Sequence, residues 1–301
     1  MGTVTDYFNI DDNDNEIPFV NVRVDTDTQL YLDPHMFEIS AYSGRYFQQA
    51  KRHLEDFTAT ILKAVLSDSP NAQRHGKNVL QNFHEPREIR LGESRNGYNG
   101  KGSGEHFCDE IWEVLTTDLR ALIDVGILRH LSALPIYVEN FDRDRMSDMT
   151  AGIIRGVLAD FTTEMMEKFP QFSTGEHSPV KHCLQVWDLE QHQWANREVE
   201  LPQADGYPLL LIPKNWASPR IELRSSRFYD VTVRGHLQNE LYAANPKAGK
   251  VAKKRIPNPY ASKIEANRII TLQAYAVEIN LLDHFINWAS RSLDKRNKKA
   301  A

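Results

Sequence analysis

The chain has 301 residues, of which 41% are apolar and 26% charged, with a formal net charge of −5. That is long enough for a substantial core in one large domain or two modest ones, and the composition is that of a folded globular protein. Two cysteines, Cys108 and Cys183, exclude a disulfide framework, and no run of eighteen apolar residues is present to span a membrane.

The charge is unevenly placed. Residues 1–40 carry nine acidic side chains against a single Arg23, whereas residues 243–263 carry six basic side chains and no acidic one. Such polarity suits a polyanion at the basic end, and equally suits solvated loops and helix ends. The N-terminus lacks the basic and apolar regions of a secretory signal, which predicts a cytoplasmic chain.

Residues 1–16 are polar and acidic and read as a flexible segment. "IPFVNVRV" then alternates Val20, Val22 and Val24 with polar residues, and "DTDTQLYLDP" adds a turn and a short strand, so a hairpin is predicted. Residues 44–66 place Phe47, Leu54, Phe57, Ile61 and Val65 on one helical face, and "SDSPNA" leads into a second helix through Phe83. Residues 92–104, "GESRNGYNGKGSG", hold five glycines and form a loop. A helix from about Glu105 to Val125 follows, then the acidic stretch "ENFDRDRMSDMTAG". Beyond it Ile153, Ile154, Val157, Leu158, Phe161 and Met165 make a continuous helical stripe, with Gly152 and Gly156 suited to close approach of a neighbour.

After a boundary near Pro170–Pro179 the chain changes character. "CLQVWDL", "WANREVEL" and "YPLLLIP" read as short strands, a loop occupies 243–260, and a long helix is predicted over 262–292. The fold class is mixed α/β (α+β): a helix-rich part with a short hairpin at 17–172, and a strand-richer part with a long C-terminal helix at 173–301. The two parts can also form one domain.

Three constellations could carry chemistry. Asp142, Asp144 and Asp148 offer the carboxylate oxygens that a magnesium or manganese ion prefers, and Arg143 and Arg145 lie beside them. The same aspartates suit a helix N-terminus, where Ser147 or Asp148 is the expected cap. Asp25 and Asp27 project to one side of the first strand pair and could form half of a metal site, while Asp33 before Pro34 is turn chemistry. The glycine-rich loop offers Arg95, Gly100, Lys101 and Gly102 to a phosphate. It departs from the P-loop pattern, with Arg95 where the first glycine belongs and Gly102 where Ser or Thr belongs.

Lesser signals surround these. His84, Glu85 and Glu88 could supply a base or a third ligand, or simply end a helix. His177, His182, His192 and Cys183 match no paired zinc spacing. "IELR" (Glu222, Arg224) fits the D…ExK arrangement of metal-dependent nucleases only with Arg in place of Lys. Lys247, Lys250, Lys253, Lys254 and Arg255 form the segment expected to follow a nucleic-acid backbone.

Taken together, "VDTDTQLYLDP", the "LGES…GKGSG" loop and "DRDRMSDMT" resemble a poorly characterised group of bacterial proteins, over roughly residues 17–160. That resemblance implies that the acidic and glycine-rich segments converge in space, and it carries an association with defence against foreign DNA. The leading expectation is a metal-dependent phosphodiester hydrolase of nuclease type. Its rivals are a non-catalytic subunit that binds nucleic acid, a protein partner or its own copies, and a nucleotide sensor built on the glycine-rich loop. The discriminating observation is whether Asp25 or Asp27 approaches Asp144 or Asp148.

Overall fold

Amphipathic helices supply most of the architecture, and their apolar stripes meet in one core. The structure, a computed structural model, describes residues 2–11, 17–38, 44–82, 86–93, 104–174 and 177–300, the side chains at 104–106 and 292–300 excepted. The helices of the first part are α1 (Val4–Phe8), α2 (Pro34–Glu38), α3 (Arg45–Leu66), α4 (Pro70–Gln81), α5 (Gly104–Thr116), α6 (Arg120–Asp124), α7 (Leu134–Tyr137), α8 (Arg143–Ile153) and α9 (Arg155–Lys168). The remainder contains α10 (Ser225–Phe228), α11 (Arg234–Ala244), α12 (Lys263–Tyr275) and α13 (Leu281–Ala300). The strands are β1 (Tyr31–Leu32), β2 (Val180–Asp188), β3 (Gln193–Leu201), β4 (Gln203–Ala204), β5 (Tyr207–Pro208) and β6 (Ala217–Ser218). This is a mixed α/β fold, helix-rich at first, with antiparallel strands in the middle and helices at the C-terminal end.

The expected stripe of α3 is buried, with Phe47, Leu54, Phe57, Ile61 and Val65 all in the core. The stripe of α8 and α9 is buried likewise. One cluster of buried side chains runs from Val4 to Ala289 and draws on both sides of Pro170–Pro179. At Gly156 an added Cβ would sit 3.5 Å from the Val186 side chain, an ordinary contact distance, which places β2 directly against α9.

β2 and β3 form a hairpin with nine paired positions, from Val180↔Leu201 to Asp188↔Gln193. Its turn falls at the expected "EQHQ", where the Asp188 carboxylate accepts from the amides of Glu190 (2.8 Å) and Gln191 (3.0 Å). Trp187 and Trp194 face each other across the strands and pack with Phe57 of α3.

Several local expectations are corrected. Residues 17–33 do not close on themselves as a hairpin. The Val20 amide donates to Ile212 and the Val4 amide to Val22, while Tyr31 and Leu32 pair antiparallel with Ser218 and Ala217. The alternation therefore records burial between distant segments, since those backbone groups find partners that sequence proximity does not reveal. Within the acidic N-terminus Val4 and Phe8 are buried on α1, whose N-cap Thr3 forms a capping box with Asp6.

Three expected long helices are each interrupted. The first breaks between Thr116 and Arg120, the second at Ile154, and the third between Tyr275 and Leu281, where Glu278 adopts φ +63°. "LLLI" (Leu209–Ile212) is buried on all sides as expected, yet lies outside any strand. Its amides bond to the Glu88 carbonyl and the Thr162 hydroxyl instead.

Candidate functional site

Three segments far apart in sequence are drawn together at Gly92. Thr28 and Leu91 form a parallel bridge, in which the Thr28 amide donates to the Arg90 carbonyl at 2.8 Å and the Gly92 amide to the Thr28 carbonyl at 3.1 Å. This fixes Asp27 beside Gly92. Helix α8 arrives from the other side, because the Leu32 amide donates to the buried Ser147 hydroxyl at 3.0 Å and holds α8 against β1. Asp144 in the first turn of α8 then meets the same glycine.

A Cβ built on Gly92 would lie 2.9 Å from the Asp144 Oδ1 and 3.6 Å from the Asp27 Oδ2. Both carboxylates thus approach the side-chain position of a residue that has no side chain, and their oxygens are no further apart than the sum of those distances. Gly92 also has φ +134°, which L side chains rarely adopt. Its backbone demands glycine, and a side chain there would displace the Asp144 carboxylate.

A charged latch borders the pair. Arg143 donates to the Glu93 Oε1 from Nε at 2.8 Å and from Nη2 at 2.6 Å, and its guanidinium lies 4.6 Å from the Tyr31 ring centroid. The Tyr31 hydroxyl donates to the same Glu93 oxygen at 3.1 Å. Burial, then Glu93, pushes the Tyr31 hydroxyl up to about 12, so it stays protonated and donating. Arg143 holds the Glu93 carboxyl below its ordinary range.

The remaining candidates separate by role. Asp142, not Ser147 or Asp148, is the N-cap of α8, its carboxylate accepting from the Arg145 amide at 3.0 Å. The helix therefore begins earlier than expected, and Ser147 is a buried acceptor inside it. Asp148 lies one turn beyond Asp144 and is half-buried. Arg145 is turned away, its guanidinium 4.0 Å from the Phe107 ring centroid and bonded to the Asn140 carbonyl. Asp25 forms a two-point pair with Arg23, at 3.1 and 3.0 Å, which holds its carboxyl low.

Asp33 and Glu222 do meet, as a D…ExK reading would want, but in the core. The Asp33 carboxylate accepts from the backbone amides of Glu222 (2.7 Å) and His35 (3.1 Å), and Glu222 pairs with Arg227 at 3.0 Å. Asp33 is a clamp between β1 and the segment after β6. Glu88 pairs with buried Arg155 at 3.6 Å. Arg95, Gly100, Lys101 and Gly102, together with His84 and Glu85, lie outside the described residues. The zinc candidates are dispersed: His177 packs on Tyr7 and Phe8, and His192 pairs with Asp56.

Among the described residues, no three His, Cys, Asp or Glu side chains are placed to hold a metal between them. Two converging carboxylates still suit magnesium, which keeps several waters and takes one or two protein carboxylates plus substrate phosphate. Sequence reasoning missed Gly92, Glu93 and Tyr31 as members of the site. "LGES" was quoted only as the edge of a loop, and the tyrosine sits in a strand pattern that reads as core.

The basic segment is presented away from the core. Every residue from Asn239 to Arg255 is exposed, and α11 buries none of its side chains. Lys253 donates to the Val231 carbonyl and Lys250 to Asn239, whereas Lys247, Lys254 and Arg255 have no partner among the described residues. Leu241 (50% exposed) and Val251 lie among these cations.

Fold and site together describe a mixed α/β protein with a converging carboxylate pair and a projecting basic arm. The chain belongs to the family described as a domain of unknown function, DUF8370, whose model matches residues 9–222. No curated protein and no solved structure matches it. Among the described residues, no helix is long and apolar enough to cross a membrane.

Proposed function

We propose that the protein is a metal-dependent phosphodiester hydrolase of nuclease type, with Asp27 and Asp144 sharing a magnesium or manganese ion at Gly92. The observation that supports it is the convergence of these carboxylates, from separate segments, on a glycine whose missing side chain leaves room between them. A divalent cation shared by two carboxylates would offset their mutual repulsion. Asp148, one turn along α8, would join through a metal-bound water.

Asp27 and Asp144 would hold the ion, which would supply Lewis acidity toward a phosphoryl oxygen and activation of a water. Arg143, tethered to Glu93 at the rim, would stabilise the charge that develops on the phosphoryl oxygens. The arm with Lys247, Lys254 and Arg255 would neutralise backbone phosphates on either side. A foreign DNA substrate accords with the resemblance noted from sequence.

The test is cleavage of single- and double-stranded DNA and RNA, with magnesium or manganese, by the wild type and by Asp27→Asn and Asp144→Asn. Metal-dependent cleavage that both substitutions abolish, with melting temperatures retained, supports the reading. Cleavage unchanged in both folded variants removes these residues from the chemistry. The exposed arm favours a second reading, a non-catalytic nucleic-acid-binding subunit. Salt-sensitive binding without metal-dependent cleavage would select it.

A further inference from the structure

A groove of about 340 Å³ lies between α4 and the β2–β3 hairpin, apart from the carboxylate pair. Its lining is unusual for a protein with 26% charged residues. Five carboxamides surround it, those of Asn78, Asn82, Gln185, Gln193 and Asn196, and no Lys, Arg, Asp or Glu is among its walls. The helix contributes Asn78 at the same end as the C-cap Asn82, and the strands contribute Gln185 and Asn196, which are direct cross-strand partners.

The groove is held rigid from beneath. Trp194 donates from Nε1 to the Val79 carbonyl at 2.7 Å, and its ring packs with Phe57 and Trp187. Gln185 donates to the Asn82 carbonyl at 2.7 Å, tying the hairpin to the end of α4. His75 closes one end, its Nε2 3.1 Å from the His192 carbonyl. The carboxamides of Asn78 and Asn196 have no protein partner among the described residues.

This chemistry narrows the ligand. Walls without charge neither neutralise a phosphate or carboxylate nor select a cation. Each carboxamide offers one acceptor oxygen and two N–H donors, a match for hydroxyl groups, which donate and accept together. The volume lies within the range of small-molecule sites. A nucleobase would use the same amides at its edge but gains most of its binding from stacking on an open aromatic face. Trp194 is half-buried, with its indole N–H tied to Val79 and its ring packed with Phe57 and Trp187, so the carboxamides are the groove's main recognition groups.

We propose that this amide-lined groove is a binding site for an uncharged saccharide of one to two rings, held by carboxamide–hydroxyl hydrogen bonds from Asn78 and Asn196, while Gln185 and Gln193, bonded to Asn82 and Gln191, shape its walls. The site is independent of the phosphodiesterase reading and of any metal, so loss of either leaves it standing.

The experiment screens the full chain against an array of neutral mono- to tetrasaccharides, with adenosine as a comparator. Hits are then titrated against ¹⁵N-labelled protein. The expected result is binding by at least one neutral saccharide, with the side-chain amide signals of Asn78 and Asn196 among those that shift. The double variant Asn78→Ala, Asn196→Ala is expected to bind at least tenfold more weakly with an unchanged melting temperature, since both residues are exposed. No binding across the array, hits that leave both amide signals unmoved, or a response to adenosine alone would overturn the proposal.

Discussion

Substituting Gly92 by alanine perturbs the site at its centre. At φ +134° an L side chain is strained, at a cost of order 1–3 kcal/mol. The new methyl would also lie 2.9 Å from the Asp144 Oδ1 and 3.6 Å from the Asp27 Oδ2, so Asp144 must swing away from the start of α8. Together these effects should destabilise the protein by about 2–4 kcal/mol, or a fall in melting temperature of roughly 3–6 °C. The assay is a pair of thermal melts, without metal and with 10 mM magnesium. The wild type should gain several degrees from the metal by mass action, and Gly92→Ala should gain nothing, because the methyl stands where the ion would sit. Gly126→Ala is the control: at φ +69° against the end of Arg129 it should lose about 1 kcal/mol and keep the metal response. A Gly92→Ala protein that melts within a degree of wild type and still responds to magnesium would refute the geometry argued here.

Other outcomes follow from the same structure. Asp142→Ala should cost about 1 kcal/mol, the ordinary loss of a helix cap, and leave metal binding untouched; urea denaturation separates it from Asp144→Asn. The double reversal Lys254→Glu, Arg255→Glu should weaken nucleic-acid binding and lower the slope of log K against log salt by about 2, measured by fluorescence anisotropy. Stability should fall as pH rises from 5 to 8. Burial raises the Asp33 carboxyl to about 6, so the folded protein holds that proton more tightly than the unfolded chain, and its contribution is lost as pH climbs through that value. His35 acts in the same direction. Burial pulls it down, but Glu38, Asp33 and Glu222 raise it overall above its ordinary 6.5. Over pH 5 to 8 the Asp33 part alone is about 1.4 kcal/mol, the rest of its contribution being lost already below pH 5, and a melting temperature that rises across this range would contradict the assignment.

What could be read in the sequence was whatever local periodicity encodes. The stripe of α3 and the β2–β3 turn at Asp188–His192 are of that kind: each follows from residues within a few positions of one another. The pairing of Tyr31–Leu32 with Ala217–Ser218 is not, because nothing near residue 31 specifies a partner almost two hundred residues away. The acidic segments illustrate the same limit. Among Asp142, Asp144 and Asp148 the sequence points to Asp148, with Ser147, as the cap. Their separation into a cap, a member of a converging pair and a residue one turn along depends on where α8 starts and on the Ser147–Leu32 hydrogen bond that sets its angle. Gly92 was counted as one of five loop glycines. Its distinction lies in what stands around it, and that becomes visible only when the Thr28–Leu91 bridge is formed.

The central claim is that Asp27 and Asp144 share a divalent cation. Manganese binding followed by electron paramagnetic resonance tests it directly, because free aqueous manganese gives a six-line signal that is lost on binding. The expected result is one site per chain in the wild type, weakened at least tenfold in both Asp27→Asn and Asp144→Asn and kept in Asp25→Asn, whose carboxylate is committed to Arg23. Equal manganese binding by the wild type and both folded variants would contradict it.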